Sequence, residues 1–287
     1  MENTTSMGSL SDGVGGSELN VFFPCLEQLK LNHLPKLKGW RRDDEIVSSQ
    51  SRQQHCLLPS LSRLSMLIIW ECPELTFIPP CPTVDKLLLL GKFNKRLEIM
   101  VSDGFGHSKL KDLKTGDVGC LKSILPLKVF RSLKSMEIYQ DYKVESFLEL
   151  RDVFRGCSSS LRSLTIKRCT KLKSVCGLEH LTALEMLDLR SLPKLNMNDD
   201  RKGDSEGEIQ NHDEMPWHCL RHCLHSLTIT NLPQMVNLPK GMCYLTSLQY
   251  LRIVNCKRLK SLPESMRELR YLKRIDVYCS ASLKERC

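Results

Sequence analysis

The chain has 287 residues, 41% of them hydrophobic but only 6% aromatic, a balance that suits a core of stacked aliphatic side chains better than one built on large rings. Its 42 basic and 33 acidic residues leave a net charge of +9, but no dense Lys/Arg run accompanies that excess, so nucleic acid is not the expected partner. No apolar run approaches the ~18 residues of a membrane span, and Met1 to Asn20 lacks both the basic and the apolar part of a signal peptide; the 14 cysteines are therefore expected to be reduced thiols in a cytoplasmic, or nuclear, protein.

Residues 1–20 are polar and rich in Ser and Gly, and are expected to be disordered. After Phe22-Phe23-Pro24 a spaced pattern begins with Leu26, Leu29, Leu31, Leu34-Pro35 and Leu37. It returns at Leu61, Leu64, Leu67, Ile69, Cys72-Pro73, Leu75 and Ile78-Pro79, then more weakly at Val84, Leu87, Leu89 and at Leu110, Leu113, Thr115. Further copies run through Leu133, Met136, Ile138; Leu161, Leu164, Ile166, Cys169, Leu172, Val175; and Leu184, Leu187, Leu189, Leu192-Pro193, Leu195. The last three centre on Leu227/Ile229, Leu251/Ile253 and Ile275/Val277. The final pair repeats after 24 residues, and the common string is L-x-x-L-x-L-x-x-C/N-x-x-L-x-x-L-P.

The L-x-L element has a period of two, which predicts a short strand with Leu251 and Ile253 on one side and Tyr250, Arg252 and Val254 on the other. Leu259 and Leu262 are expected to turn back across the same interior. One such unit cannot bury its apolar face alone, so copies must stack. The spacing predicts a leucine-rich-repeat solenoid of about ten repeats over residues 21–287. This is an α/β repeat fold, a horseshoe with a parallel β-sheet on the concave face and irregular loops and short helices on the convex face.

Two steps between copies are long, and both coincide with polar stretches, so loop insertions are expected near 41–56 and 196–216. The second carries Asp199, Asp200, Asp204, Glu206, Glu208, Asp213 and Glu214 against Arg201 and Lys202; it reads as a solvated acidic loop or as a strap over the basic face. Prolines fall after strands or in return segments, away from strand centres where a missing N–H is costly. Pro263-Glu264 reads as the start of a short convex-side helix. Asn94 to Gly106 fits the repeat poorly.

Alternation assigns an outward residue beside and between each pair of core leucines. Met66, Ile68, Trp70, Leu88 and Leu90 then form an apolar cluster on a face that should be wet, the kind of patch that marks a partner site. Distortion of these copies, or cover by the 41–55 insertion, would account for it equally. Tyr139, Lys167 and Arg190 follow in the same column. Tyr250, Arg252, Val254, Arg274 and Tyr278 make a second, aromatic and basic cluster, or else a scattered surface. These thirteen residues are the candidate partner-binding set.

No catalytic, cofactor-binding or metal-ligating set is expected. Trp217-His218-Cys219, His222-Cys223 and His225 crowd three His and two Cys together, but their spacing matches no zinc finger, and a repeat begins directly after them. Cys72, Cys169 and Cys256 recur at one repeat position, as packing residues do; a nucleophile would be unique and have a base beside it.

The copies Leu64 to Pro79, Leu161 to Val175 and Leu248 to Pro263 resemble the repeats of plant intracellular nucleotide-binding leucine-rich-repeat disease resistance proteins of the coiled-coil class. So do Phe22-Phe23-Pro24, Leu34-Pro35-Lys36-Leu37-Lys38-Gly39-Trp40 and Ser282-Leu283-Lys284-Glu285-Arg286-Cys287. The resemblance implies a non-enzymatic recognition domain of an immune receptor, with a pathogen effector or guarded host protein as partner, and a nucleotide-binding domain as a further partner in a longer receptor. The chain has no G-x-x-x-x-G-K-[ST] loop and no expected nucleotide cofactor. It reads as the sensor part of a receptor, whether as a fragment or as a short stand-alone relative. An adaptor or substrate receptor, for example of a ubiquitin ligase, is the alternative.

Overall fold

The computed structural model describes residues 23–39, 60–94, 96–99, 101, 108–197 and 217–278. The N-terminal segment, the 41–56 insertion, residues 198–216, Phe22, Trp40 and Ser282 to Cys287 lie outside the described residues.

Every expected copy carries a strand: β1 (Gln28–Asn32), β2 (Met66–Cys72), β3 (Lys86–Phe93), β4 (Asp112–Thr115), β5 (Ser135–Tyr139), β6 (Ser163–Lys167), β7 (Met186–Arg190), β8 (Ser226–Thr230), β9 (Tyr250–Val254) and β10 (Arg274–Tyr278). The chain divides into two compact units, Met1–Leu113 with Cys120–Ser132, and Lys114–Gly119 with Leu133–Cys287. In the first, β1, β2 and β3 pair in parallel and in sequence order, with Leu29, Leu67 and Leu87 side by side. In the second, β5 through β10 pair likewise, aligning Met136, Leu164, Leu187, Leu227, Leu251 and Ile275. Parallel neighbours in sequence order, each joined by one coil of chain, make the fold a leucine-rich-repeat solenoid.

The L-x-L residues form the core. Leu67, Ile69, Leu87, Leu89, Leu164, Ile166, Leu227, Ile229 and Ile253 are wholly buried. Return segments align as well, through parallel bridges Gly39–Phe77 and Phe77–Glu98 in the first unit and Asn237–Ser261 in the second. Of the stretch that fits the repeat poorly, the described residues 94, 96–99 and 101 belong to the return leg of the third coil, where Leu97, Ile99 and Val101 are buried. Gly39 must be glycine: its φ is +124°, and a Cβ there would lie 2.3 Å from the Phe77 carbonyl oxygen.

Among the described residues the return legs carry only short helices, α1 (Leu121–Ile124) and α2 (Arg151–Gly156), with 3-10 turns such as Lys240–Tyr244 and Glu264–Glu268. The last two begin after Pro239 and Pro263, the second where Pro263-Glu264 predicts a short helix.

Two expectations need correction. Leu262 was expected inside, but is 38% exposed, whereas Leu238 at the same place one coil earlier is buried. Ile275, expected in the core, is 42% exposed. For Ile275 the cause is that a repeat side chain is covered by the coils on either side, and among the described residues β10 pairs with β9 alone.

Candidate protein-recognition surface

In the first unit the strand register sets Met66 beside Lys86, Ile68 beside Leu88 and Trp70 beside Leu90. Leu67, Ile69, Leu87 and Leu89 between them are fully buried, so the alternation holds and the copies are not turned over. Met66, Ile68, Leu88 and Leu90 are half-buried and Trp70 is 44% exposed. The indole rests against His33, with ring centroids 5.1 Å apart. Four aliphatic side chains and an indole thus share one strand face, in register across two neighbouring strands.

In the second unit the outward strand face is ionic. Glu137 accepts from Lys114 at 3.2 Å and from Lys167 at 3.3 Å. Lys114 Nζ stands 4.3 Å from the centre of the Tyr139 ring, and Arg168 donates to the Tyr139 hydroxyl at 3.1 Å. Arg190 grips Asp188 through Nε and a second nitrogen, and the carboxylate holds its guanidinium pKa above the usual value. Further along, β9 and β10 set Tyr250 beside Arg274, and Val254 beside Tyr278. Both tyrosines are about half exposed; Arg252 lies 5.8 Å from the Tyr278 ring centre, and Arg274 pairs with Asp276 at 3.0 Å. All thirteen candidate residues therefore face outward, in separate groups: apolar in the first unit, ionic and then aromatic in the second.

Sequence reasoning missed the rim of this face. The residue just after the outward column, His33, Glu71, Gln140, Arg168, Ser191, Asn231 or Asn255, is left-handed with φ between 52° and 58°, and Gly91 takes the same place at 74°. There the chain turns out of the strand while its N–H still reaches the next coil: Gln140 N donates to Lys167 O at 2.9 Å, and Asn231 N to Val254 O at 2.8 Å. The signal was His33, Gly91, Asn231 and Asn255 in this column, types tolerant of positive φ. Its side chains also join: Asn255 Nδ2 donates to Asn231 Oδ1 at 3.4 Å, and Asn231 Nδ2 to Ser191 Oγ at 3.2 Å. Beside this rim lies an open depression of about 320 Å³ lined by Gln140, Tyr142, Arg168, Thr170, Ser191, Pro193, Asn231 and Pro233.

The recurrent cysteines pack. Cys72, Cys169 and Cys256 are fully buried, with Sγ 3.4–3.6 Å from the carbonyls of Trp70, Lys167 and Val254. Burial pushes the thiols of Cys81, Cys157 and Cys169 up to about 12, the opposite of what activates a nucleophile. In the His/Cys stretch Trp217, Leu220 and Leu224 are core, Cys223 Sγ donates to Leu181 O at 3.7 Å, and Cys219 Sγ lies 3.3 Å from His218 Nε2. These are the contacts of a turn entering β8. Among the described residues no helix is long and apolar enough to cross a membrane.

Residues 145–280 match the family described as plant disease resistance protein RPS2-like, leucine-rich repeats. The TMV resistance protein N of Nicotiana glutinosa is 28% identical over 175 residues, which is 58% of this chain and 15% of that protein's length. The chain thus spans a small part of this relative. Among solved structures, the crystal structure of a TLR13–ssRNA13 complex superposes with a TM-score of 0.54 at 16% identity, over 91% of this chain and 38% of that one. That likeness is one of fold.

Proposed function

We propose, from leucine-rich repeats that are of the plant disease-resistance type, that this chain is the recognition domain of an immune receptor, and that it senses a pathogen effector or a guarded host protein through its strand face. The carrying observation is the apolar group of Ile68, Trp70, Leu88 and Leu90. The residues between them are fully buried, so these four are held on the outside by the fold itself. An indole fixed among aliphatic side chains is what the centre of a protein interface needs. The strand face works without catalysis, inside the cell, and in a longer receptor the same array would restrain a nucleotide-binding module.

The test is pairwise binding of candidate effectors and host proteins to the purified chain and to its Ile68→Asp/Trp70→Asp variant. The variant is expected to lose the partner while keeping the wild-type circular dichroism and melting temperature. A variant that binds as wild type, or that fails to fold, would remove the proposal.

A further inference from the structure

The depression in the second unit spans four coils, each contributing one residue of the left-handed column: Gln140, Arg168, Ser191 and Asn231. Coils are spaced at ~4.8 Å, so the row is about 14 Å long, the reach of four or five extended residues at ~3.4 Å each. Its far wall is mostly apolar, built from Pro193, Pro233 and the exposed Tyr142 ring with Thr170 among them. Its near side is a row of polar groups, the Gln140 amide, the Arg168 guanidinium, and Ser191 and Asn231 joined by a hydrogen bond. Such a trough matches an extended polypeptide, with main-chain polar groups on one side and side chains against the other.

Charge narrows the class. On the adjoining strand face Lys114, Lys167 and Arg190 share two carboxylates, Glu137 and Asp188. Arg168 links that face to the depression; its partner is the neutral Tyr139 hydroxyl, and no carboxylate is paired with it among the described residues. With the buried Asp141 carboxylate, between the lining residues Gln140 and Tyr142, four cations meet three acids, which leaves an excess of one positive charge with Arg168 at its edge. A nucleic acid would carry a charge at every phosphate past Glu137 and Asp188, whereas a peptide can set its carboxylates where the cations are.

We infer that this depression, with Arg168 as its anionic anchor, seats an extended acidic peptide segment of the recognised protein. The inference rests on the reading of the array as a protein-recognition scaffold, and places a second contact in the second unit, apart from the apolar group in the first.

The probe is a fluorescein-labelled hexaglutamate peptide, read by fluorescence anisotropy against the whole chain at about 0.15 M salt, where long-range attraction is screened. Arg168→Glu is expected to weaken binding by about tenfold or more, the scale of a lost charge-assisted hydrogen bond. Thr170→Trp, which fills the depression without changing charge, should weaken it similarly. Lys260→Glu, exposed and outside the lining, makes the same charge change and should alter binding by less than about twofold. Equal loss in the two charge variants would mean that only net charge is read, and would overturn the inference. So would absent binding, indifference to Thr170→Trp, or tighter Arg168-dependent binding of a labelled oligouridylate. Loss of this inference with the Ile68/Trp70-dependent capture intact would leave the proposed function standing.

Discussion

Asp141 occupies the place that Cys72, Cys169 and Cys256 hold in their coils, five residues after the first core residue of the strand. Its burial is as complete, with 1% exposure, but its chemistry differs. One oxygen accepts from Val118 N at 2.8 Å, and the other from Lys143 N at 2.8 Å and Val144 N at 3.0 Å. A buried carboxylate here satisfies three backbone donors that a thiol could not reach together. Asp141→Ala is expected to cost about 3 kcal/mol or more in urea unfolding, because those donors stay buried without an acceptor. Asp141→Asn should cost less, since one acceptor oxygen remains. Gly177 is a second position where one atom decides. Its φ is +108°, and a Cβ would lie 2.6 Å from the Phe147 carbonyl oxygen, whereas at Gly119 the nearest atom is a side-chain oxygen at 3.4 Å. Gly177→Ala should lower stability by about 2 kcal/mol, and Gly119→Ala should leave it near wild type.

At the scale of the element, each strand is two residue sets with different fates. In β9, Leu251 is buried to 1% and Arg252 beside it is exposed. Leu251→Asp removes roughly 1.5–3 kcal/mol of apolar burial and adds the cost of an unpaired buried charge, so the second unit is expected to melt far below wild type or not to fold. Arg252→Asp, one residue away, should keep the melting temperature and change only what the surface can bind. The rim column is the third set: left-handed backbone turns the chain out of the sheet without breaking the ladder, since Ser191 N still reaches Thr230 O at 2.9 Å. The depression follows from that turn, because the residue after each buried column position is brought out beside it.

Across the whole molecule, buried thiols link stability to pH. Cys81, Cys157 and Cys169 are raised from 9.0 to about 12 by burial. Between those values the unfolded chain releases the proton and the folded chain keeps it, so the unfolded state binds fewer protons and stability falls as pH rises. Their contribution is therefore intact below pH 9 and lost progressively from there to about 12. Each thiol adds a slope of about −1.4 kcal/mol per pH unit in that window. Urea unfolding at pH 8 and pH 10 should show the loss, and Cys157→Ala should flatten it by one such increment; an unchanged slope would mean that the thiol ionises freely in the fold.

The sequence alone determined the periodic part of this protein. A leucine interval repeated ten times can be buried only by stacking, and a period of two within each copy divides the residues into an inward and an outward set. That is why the strands centred on Leu29, Leu67, Leu164 and Leu251, and the outward aspect of Trp70 and Tyr278, were legible from spacing. Tertiary structure decided whatever depends on neighbouring coils. Leu262 and Ile275 repeat the pattern but are 38% and 42% exposed, and among the described residues the strand of Ile275 has a neighbour on one side alone. Asp141 falls at a cysteine position, yet only the backbone donor of Val118 from another coil, with those of Lys143 and Val144 just after it, makes it a hub. The depression holding Arg168 has no signature in any single copy: four coils each contribute one left-handed residue, and the cavity exists only where they lie side by side.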